Sequence, residues 1–316
     1  MTAQPLRVAL AGAGAFGIKH LDALARIDGV EVTAVVGRRL EQAREVAAGY
    51  GIGHATTELA DVLARDDVDA VILATPTQLH ARQAVAAMRA GKHVEVEIPL
   101  ADSRADAERV AATARETGLV CLAGHTRRFN PSHRWVHRKV VAGELTLQQL
   151  TAQTFFFRRA NLNALGEPRS WTDHLLWHHA AHTVDLFRFQ TGEEIVAAHA
   201  VQGPLHPELG IAMDLSIQLR AAGGAICTLS LSFNNDGPFG TDFRYICDNG
   251  TYLARYDDLV TGKGEKVTLD GVADGIEAQD REFVAAIREG REPESSAAAV
   301  LPGYQVLADL EAELSH

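Results

Sequence analysis

Apolar and polar positions follow two regimes along this chain. In the first 124 residues, short continuous apolar runs (6–11, 30–36, 70–74, 93–96 and 120–122) alternate with segments of helical period (through Ile27, 40–50, 78–90 and 103–117). Largely apolar runs of three to seven residues between helices predict fully buried parallel strands in a doubly wound sheet. From His125 onward the pattern changes. One helix (131–141), a strand (147–157), a polar loop to Arg169 and a histidine-rich helix precede strand-like runs at 195–201, 213–219, 225–233, 243–247 and 252–256. Turn signals lie at Gly223-Gly224 and Asn249-Gly250. This predicts an α/β protein, an N-terminal Rossmann domain over 1–124 followed by an α+β domain over 125–316. The second domain carries a large, mostly antiparallel open sheet, whose apolar outer face asks for covering by a second copy, while helices at 278–289 and 300–314 close the chain.

The first apolar run ends in Gly12-Ala13-Gly14-Ala15-Phe16-Gly17 and leads into a helix. Strand, Gly-x-Gly-x-x-Gly and helix in this order form a dinucleotide site. Gly12 permits the tight turn, Gly14 lets the backbone approach a pyrophosphate, and Gly17 lets helix and strand pack closely. At the end of the second strand, where a carboxylate would hold the ribose hydroxyl of NAD, stand Gly37-Arg38-Arg39. Two guanidiniums and no acid favour the 2′-phosphate of NADP, leaving NAD at lower affinity.

The second candidate chemistry lies at Asp173–Asp185, where helical spacing places His174, His178 and His182 on one face, with His179 alongside and Asp185 as an orienting carboxylate. Imidazoles four apart suit general acid/base work, and a packing-face role is the plain alternative. With no helical glutamate or cysteine cluster beside them, no metal is expected.

Formal net charge is −11, which argues against nucleic acid or an anionic membrane as partner. Residues 125–182 nevertheless hold eight Arg or Lys against three acids, and seven of the fourteen histidines. A cationic segment in an anionic chain points to a small anionic ligand, with Arg127, Arg128, Arg158 and Arg169 as candidate anchors. Arg158 and Arg159 are strand neighbours, so at most one faces a site. The three cysteines, dispersed in apolar surroundings, read as buried free thiols. Without an apolar span or secretory signal, a cytoplasmic location is expected.

The fingerprint, Thr75-Pro76-Thr77-Gln78-Leu79-His80, Ala90-Gly91-Lys92-His93-Val94, Arg127-Arg128-Phe129-Asn130-Pro131 and His182-x-x-Asp185 together resemble the Gfo/Idh/MocA oxidoreductases across the chain. The resemblance implies that Thr75, Pro76, Thr77 and His80 line the nicotinamide side, that Glu97 closes the cofactor cleft, and that the open sheet forms a homodimer interface. It also exposes a departure. Members usually carry Glu-Lys-Pro, the lysine polarising the reacting hydroxyl, and an Asp-x-x-x-His helix. Here Glu97-Ile98-Pro99 places Ile98 against the substrate, and His178 occupies the aspartate position.

Several sequence blocks resemble one branch of the family that oxidises a dicarboxylate semialdehyde in its cyclic hemiacetal form. A hemiacetal hydroxyl is more acidic than an ordinary alcohol, so a modest base suffices and the lysine becomes dispensable. On this reading His182 accepts the hydroxyl proton, Asp185 orients it, and His178 and His179 relay the proton or bind a carboxylate. Alternatives within the family are a sugar or inositol dehydrogenase and a non-catalytic NADP-binding regulator.

Overall fold

The computed structural model describes residues 4–162, 166 and 172–315; Arg169, a candidate anchor, lies outside the described residues. The chain divides into two compact units, and the division is not a single cut. The first takes residues up to Gly124 together with Ile276–Leu301; the second takes His125–Gly275 and the segment from Pro302. A continuous second domain over 125–316 is therefore corrected. The reason is hydrophobic: Phe283, Val284 and Ala286 belong to the same buried core as Val8, Leu10, Val35, Ile72 and Leu122.

In the first unit, β1 (Leu6–Ala11), α1 (Ala15–Leu24), β2 (Val30–Val36), α2 (Leu40–Gly49), β3 (His54–Thr56), α3 (Leu59–Leu63), β4 (Ala70–Leu73), α4 (His80–Arg89), β5 (His93–Val96), α5 (Arg104–Thr117) and β6 (Cys121–Ala123) alternate. The sheet is wholly parallel in the order β3-β2-β1-β4-β5-β6. Its strands are buried on both faces, which is why they read as unbroken apolar runs. The order reverses between β1 and β4, where such sheets open a crevice for a ligand. α5 starts and stops as its sequence dictates. Ser103 accepts from the Asp106 N–H at 3.3 Å, and Gly118 closes the helix at φ +67°.

The second unit contains α6 (Pro131–Val141), β7 (Leu147–Phe155), α7 (Ala181–Thr191), β8 (Ile195–Gln202), β9 (Asp214–Ala221), β10 (Ile226–Ser232), β11 (Gly240–Cys247), β12 (Gly250–Arg255) and β13 (Asp258–Thr261). Its sheet runs β13-β12-β11-β7-β10-β9-β8, antiparallel except where β10 meets β7. α8 (Gly275–Glu289) and α9 (Ala297–Leu314) follow, and the division falls at Pro302 inside α9. Strict alternation along β9 and β11 buries Leu215, Ile217, Phe243 and Tyr245. It exposes Ser216, Gln218, Arg220, Asp242 and Arg244. The outer face is thus polar, which corrects the expectation of an apolar face.

Candidate active site

The first unit shapes its glycine turn for close approach. A side chain on Gly12 would meet the Ala74 carbonyl oxygen at 2.2 Å, and one on Gly17 the Gly12 carbonyl oxygen at 1.8 Å. Beyond Gly14 there is open space, and Gly14 begins α1 without a side-chain cap or an acid in the first turn. Uncapped N–H groups at a helix start, with room above them, fit a phosphate. Ala15 and Phe16 are exposed, Lys19 Nζ lying 5.0 Å from the Phe16 ring centre. Gly37 is buried against Ala43, whereas Arg38 and Arg39 are exposed, and among the described residues no acid pairs with Arg38. These residues fit a dinucleotide carrying an extra phosphate.

The turns after β4 and β5 are tied together. The His80 ring nitrogens lie 2.7 Å from the Pro99 carbonyl oxygen and 2.8 Å from that of Thr75, while the Thr75 hydroxyl donates to Gln83 at 2.5 Å. Thr77 and His80 are buried and Pro76 half-buried, so this histidine serves the backbone of the loop. Glu97 faces His20 Nε2 at 3.1 Å and accepts from the Ile98 N–H at 3.3 Å. Burial would raise the Glu97 carboxyl, but the bond to His20 and its charge, with the Ile98 N–H and Gln279, more than offset this and hold it below its usual range.

In the second unit the histidine segment is not one α-helix. Leu175–Ala180 forms a π-helical turn with His174 as its cap, and α7 begins only at Ala181. The even stripe expected from four-residue spacing is broken there, because a π turn holds more residues per turn and rotates the later side chains. His174 and His178 remain neighbours, their ring centres 5.0 Å apart. His182 turns toward His125, at 6.0 Å.

His182 is partly exposed, and its Nδ1 is buried without a hydrogen-bond partner. Burial first, and then the charge of Arg127, hold its pKa well below the ordinary imidazole value, so the ring is neutral at pH 7. Asp185 does not orient it. The Asp185 carboxylate binds Arg128 at 2.7 and 2.5 Å and lies 3.5 Å from His125 Nδ1. Arg158 binds Asp173 through both oxygens, stacked 4.4 Å from the Phe233 ring centre, and His179 Nε2 lies 3.3 Å from the same carboxylate. Arg159 is exposed, but strand alternation is not the reason: β7 ends at Phe155, so the expectation that the two arginines are strand neighbours is corrected.

Arg127 is different. Its guanidinium lies 4.6 Å from the Phe243 ring centre and makes only long bonds, 3.4 Å each, to the Thr183 and Thr241 hydroxyls. Among the described residues no carboxylate neutralises it, and burial pulls its pKa down to about 10. A half-buried cation with no counter-charge among the described residues is stabilised by any anion that comes to it. Thr183, Thr241 and Phe243 escape sequence reasoning, since β11 reaches Arg127 only through its register on β7, Thr241 opposite Thr154 and Phe243 opposite Ala152.

Comparison with known proteins places these features in a lineage. Residues 6–125 match the model of an oxidoreductase family with an NAD-binding Rossmann fold, and residues 131–273 match that of bacterial oxidoreductase C-terminal domains. The chain is 70% identical over 312 residues, 98% of its length and 99% of the relative's, to 4-carboxy-2-hydroxymuconate-6-semialdehyde dehydrogenase of Sphingobium sp. strain SYK-6. The chain belongs to the Gfo/Idh/MocA family. A more distant member, inositol 2-dehydrogenase of Mycolicibacterium smegmatis, is 30% identical over 90% of this chain and 85% of that one. Among solved Gfo/Idh/MocA-like folds, an oxidoreductase domain protein from Kribbella flavida superposes with a TM-score of 0.85 at 25% identity, covering 99% of this chain and 98% of that one. Membership accounts for a nicotinamide cofactor on the glycine turn. Among the described residues no helix is long and apolar enough to cross a membrane.

Proposed function

We propose that this protein oxidises the cyclic hemiacetal of 4-carboxy-2-hydroxymuconate-6-semialdehyde to 2-pyrone-4,6-dicarboxylate with NADP, a step of protocatechuate 4,5-cleavage in the catabolism of lignin-derived aromatics. The observation that carries the reading is Arg127, a half-buried cation without an acid partner among the described residues, in a chain 70% identical to a 4-carboxy-2-hydroxymuconate-6-semialdehyde dehydrogenase. A polyol offers such a group nothing that neutralises it, whereas a carboxylate does.

In the reaction the hemiacetal carbon loses its hydroxyl proton and its hydride and becomes a lactone carbonyl. Bound NADP supplies the hydride acceptor. Gly12 and Gly14 would hold the pyrophosphate, with Gly17 letting α1 pack close behind them, Arg38 and Arg39 would hold the 2′-phosphate, and Thr75, Pro76 and Glu97 would border the nicotinamide. His182 takes the hydroxyl proton on a ring nitrogen, its depressed pKa keeping it ready to do so. Arg127 binds one substrate carboxylate, and His178 or His179 approaches the other. Ile98, where relatives carry lysine, packs against a ring that needs no added cation. A homodimer forms across the polar outer face of the second sheet, and the protein works in the cytoplasm.

The test is turnover. With NADP and enzymatically ring-cleaved protocatechuate, absorbance from NADPH should rise. Turnover of inositol in its place would make this a cyclitol dehydrogenase, and tight NADP binding without turnover would make it a regulator.

A further inference from the structure

Beneath the Glu97 turn lies a cluster that the proposed chemistry does not use. His20 on α1 is fully buried, with Nδ1 2.9 Å from Asp280 Oδ1 on α8 and Nε2 3.1 Å from Glu97 Oε1. Both nitrogens face carboxylate oxygens, so each carries a hydrogen and the ring is an imidazolium. Glu95 on β5 joins them. Gln279 Nε2 donates to its Oε1 at 2.7 Å and more distantly, at 3.4 Å, to Glu97 Oε1. Nε2 is thus shared between the two glutamates.

Glu95 and Asp280 are both wholly buried and in side-chain hydrogen-bonding contact, yet among the described residues Glu95 Oε2 and Asp280 Oδ2 have no N–H or hydroxyl donor. Three carboxyl groups, from Glu95, Glu97 and Asp280, surround one imidazolium with no other cation among them. Two bare carboxylates in contact in such a place repel strongly, and one proton between them removes the repulsion and satisfies both orphan oxygens. We infer that Glu95 is a neutral carboxylic acid at physiological pH, donating its proton to Asp280, so that the His20 imidazolium is shared by only two carboxylates and fixes Glu97 at the turn.

Glu95 is thus a positioning residue that acts through Asp280 and His20. Burial and the charge of Asp280 raise its pKa well above the carboxyl range, as this arrangement requires, while Glu97 stays ionised. The use of Glu97 at the cofactor rests on the function proposed above; the proton arrangement does not. Ligand atoms of His20, Glu95 and Asp280 also lie within 4.8 Å of one another, the geometry of a small cation site. Against a cation, both imidazole nitrogens already donate, and the side chains of His20 and Asp280 have no exposure through which an ion could enter.

Infrared spectra of the whole protein labelled with isotopic glutamate test the proton directly. At pH 7 a protonated-carboxyl C=O band should shift with the label and vanish in Glu95→Gln. Thermal melts give a second, independent reading. Glu95→Gln keeps a donor toward Asp280 and cannot ionise, so its Tm relative to wild type should rise between pH 5 and pH 8. An ionised Glu95 paired with His20 is unprotonated in both states across this range, so the relative Tm would stay flat. Absence of the band, a flat or falling relative Tm, or one equivalent of divalent metal in the purified protein would each overturn the inference. Loss of NADPH affinity in Glu97→Gln is measured separately, so failure of the cofactor reading is told apart from failure of this one.

Discussion

Arg128 and Asp185 form a buried two-point ion pair, Nε 2.7 Å from Oδ2 and Nη2 2.5 Å from Oδ1, while Arg127, one residue earlier in the same tight turn, meets no acid among the described residues. Adjacent arginines thus divide the work, one holding the fold and the other open to a ligand anion. Arg128→Ala should cost about 3–5 kcal/mol in urea unfolding, because it strands a buried carboxylate. Arg127→Met removes an uncompensated cation and should change stability by no more than about 1 kcal/mol. It should raise KM for the dicarboxylate roughly tenfold to a hundredfold, the value of a charge-assisted hydrogen bond. Equal stability losses in the two variants would refute the division.

For His182 the direction of its pKa sets a kinetic expectation. A base held well below the ordinary imidazole value is already deprotonated at pH 6.5, so activity should stay flat through that pH and fall only further into acid. An acid limb centred at 6.5 or above, or full activity in His182→Ala, would assign the proton to another group.

Cofactor preference is tested at the end of β2. Arg38→Ala should weaken NADP at least about tenfold and leave NAD within about twofold, since only the former presents a phosphate there. Equal losses for both cofactors would remove the phosphate role.

Stability should begin to fall at a higher pH than carboxylates alone would set. His133, which accepts a hydrogen bond from the Tyr245 hydroxyl at 2.7 Å, has its pKa pushed down to about 3 by burial and by Arg127, and burial lowers His93 as well. These histidines are neutral when folded and take up protons on unfolding below pH 6.5. Their contribution is therefore complete above that pH and is lost as pH falls toward the folded values. Each fully depressed group adds about 1.4 kcal/mol per pH unit to the decline. Urea midpoints between pH 7.5 and 5 check this, and His133→Gln should flatten the slope by one such increment.

Much of the fold was legible because its signals are local. Continuous apolar runs mark strands buried on both faces, and Gly12, Gly14 and Gly17 need only their own neighbours to be understood. The short β3 and β13 carry too few residues to show a period. The π turn at Leu175–Ala180 has no local sequence signal here, so spacing alone gave the histidines a common face that the backbone denies them. Charge content located the cationic segment, but which arginine is neutralised depends on partners far away in sequence. Asp173 takes Arg158 and Asp185 takes Arg128, and only the assembled unit leaves Arg127 over.

The return of Ile276–Leu301 to the first unit bears on how the protein is made. Phe283 and Val284 enter the core built around β1, and Ser296 bridges to Leu122 on β6, the edge strand of that sheet. During translation, then, the nucleotide unit stays unfinished while some 150 intervening residues emerge, its final strand and apolar core awaiting a segment made after them. A ribosome stalled after Gly275 should hold a protease-sensitive Rossmann unit, and one that has released Leu301 a resistant one.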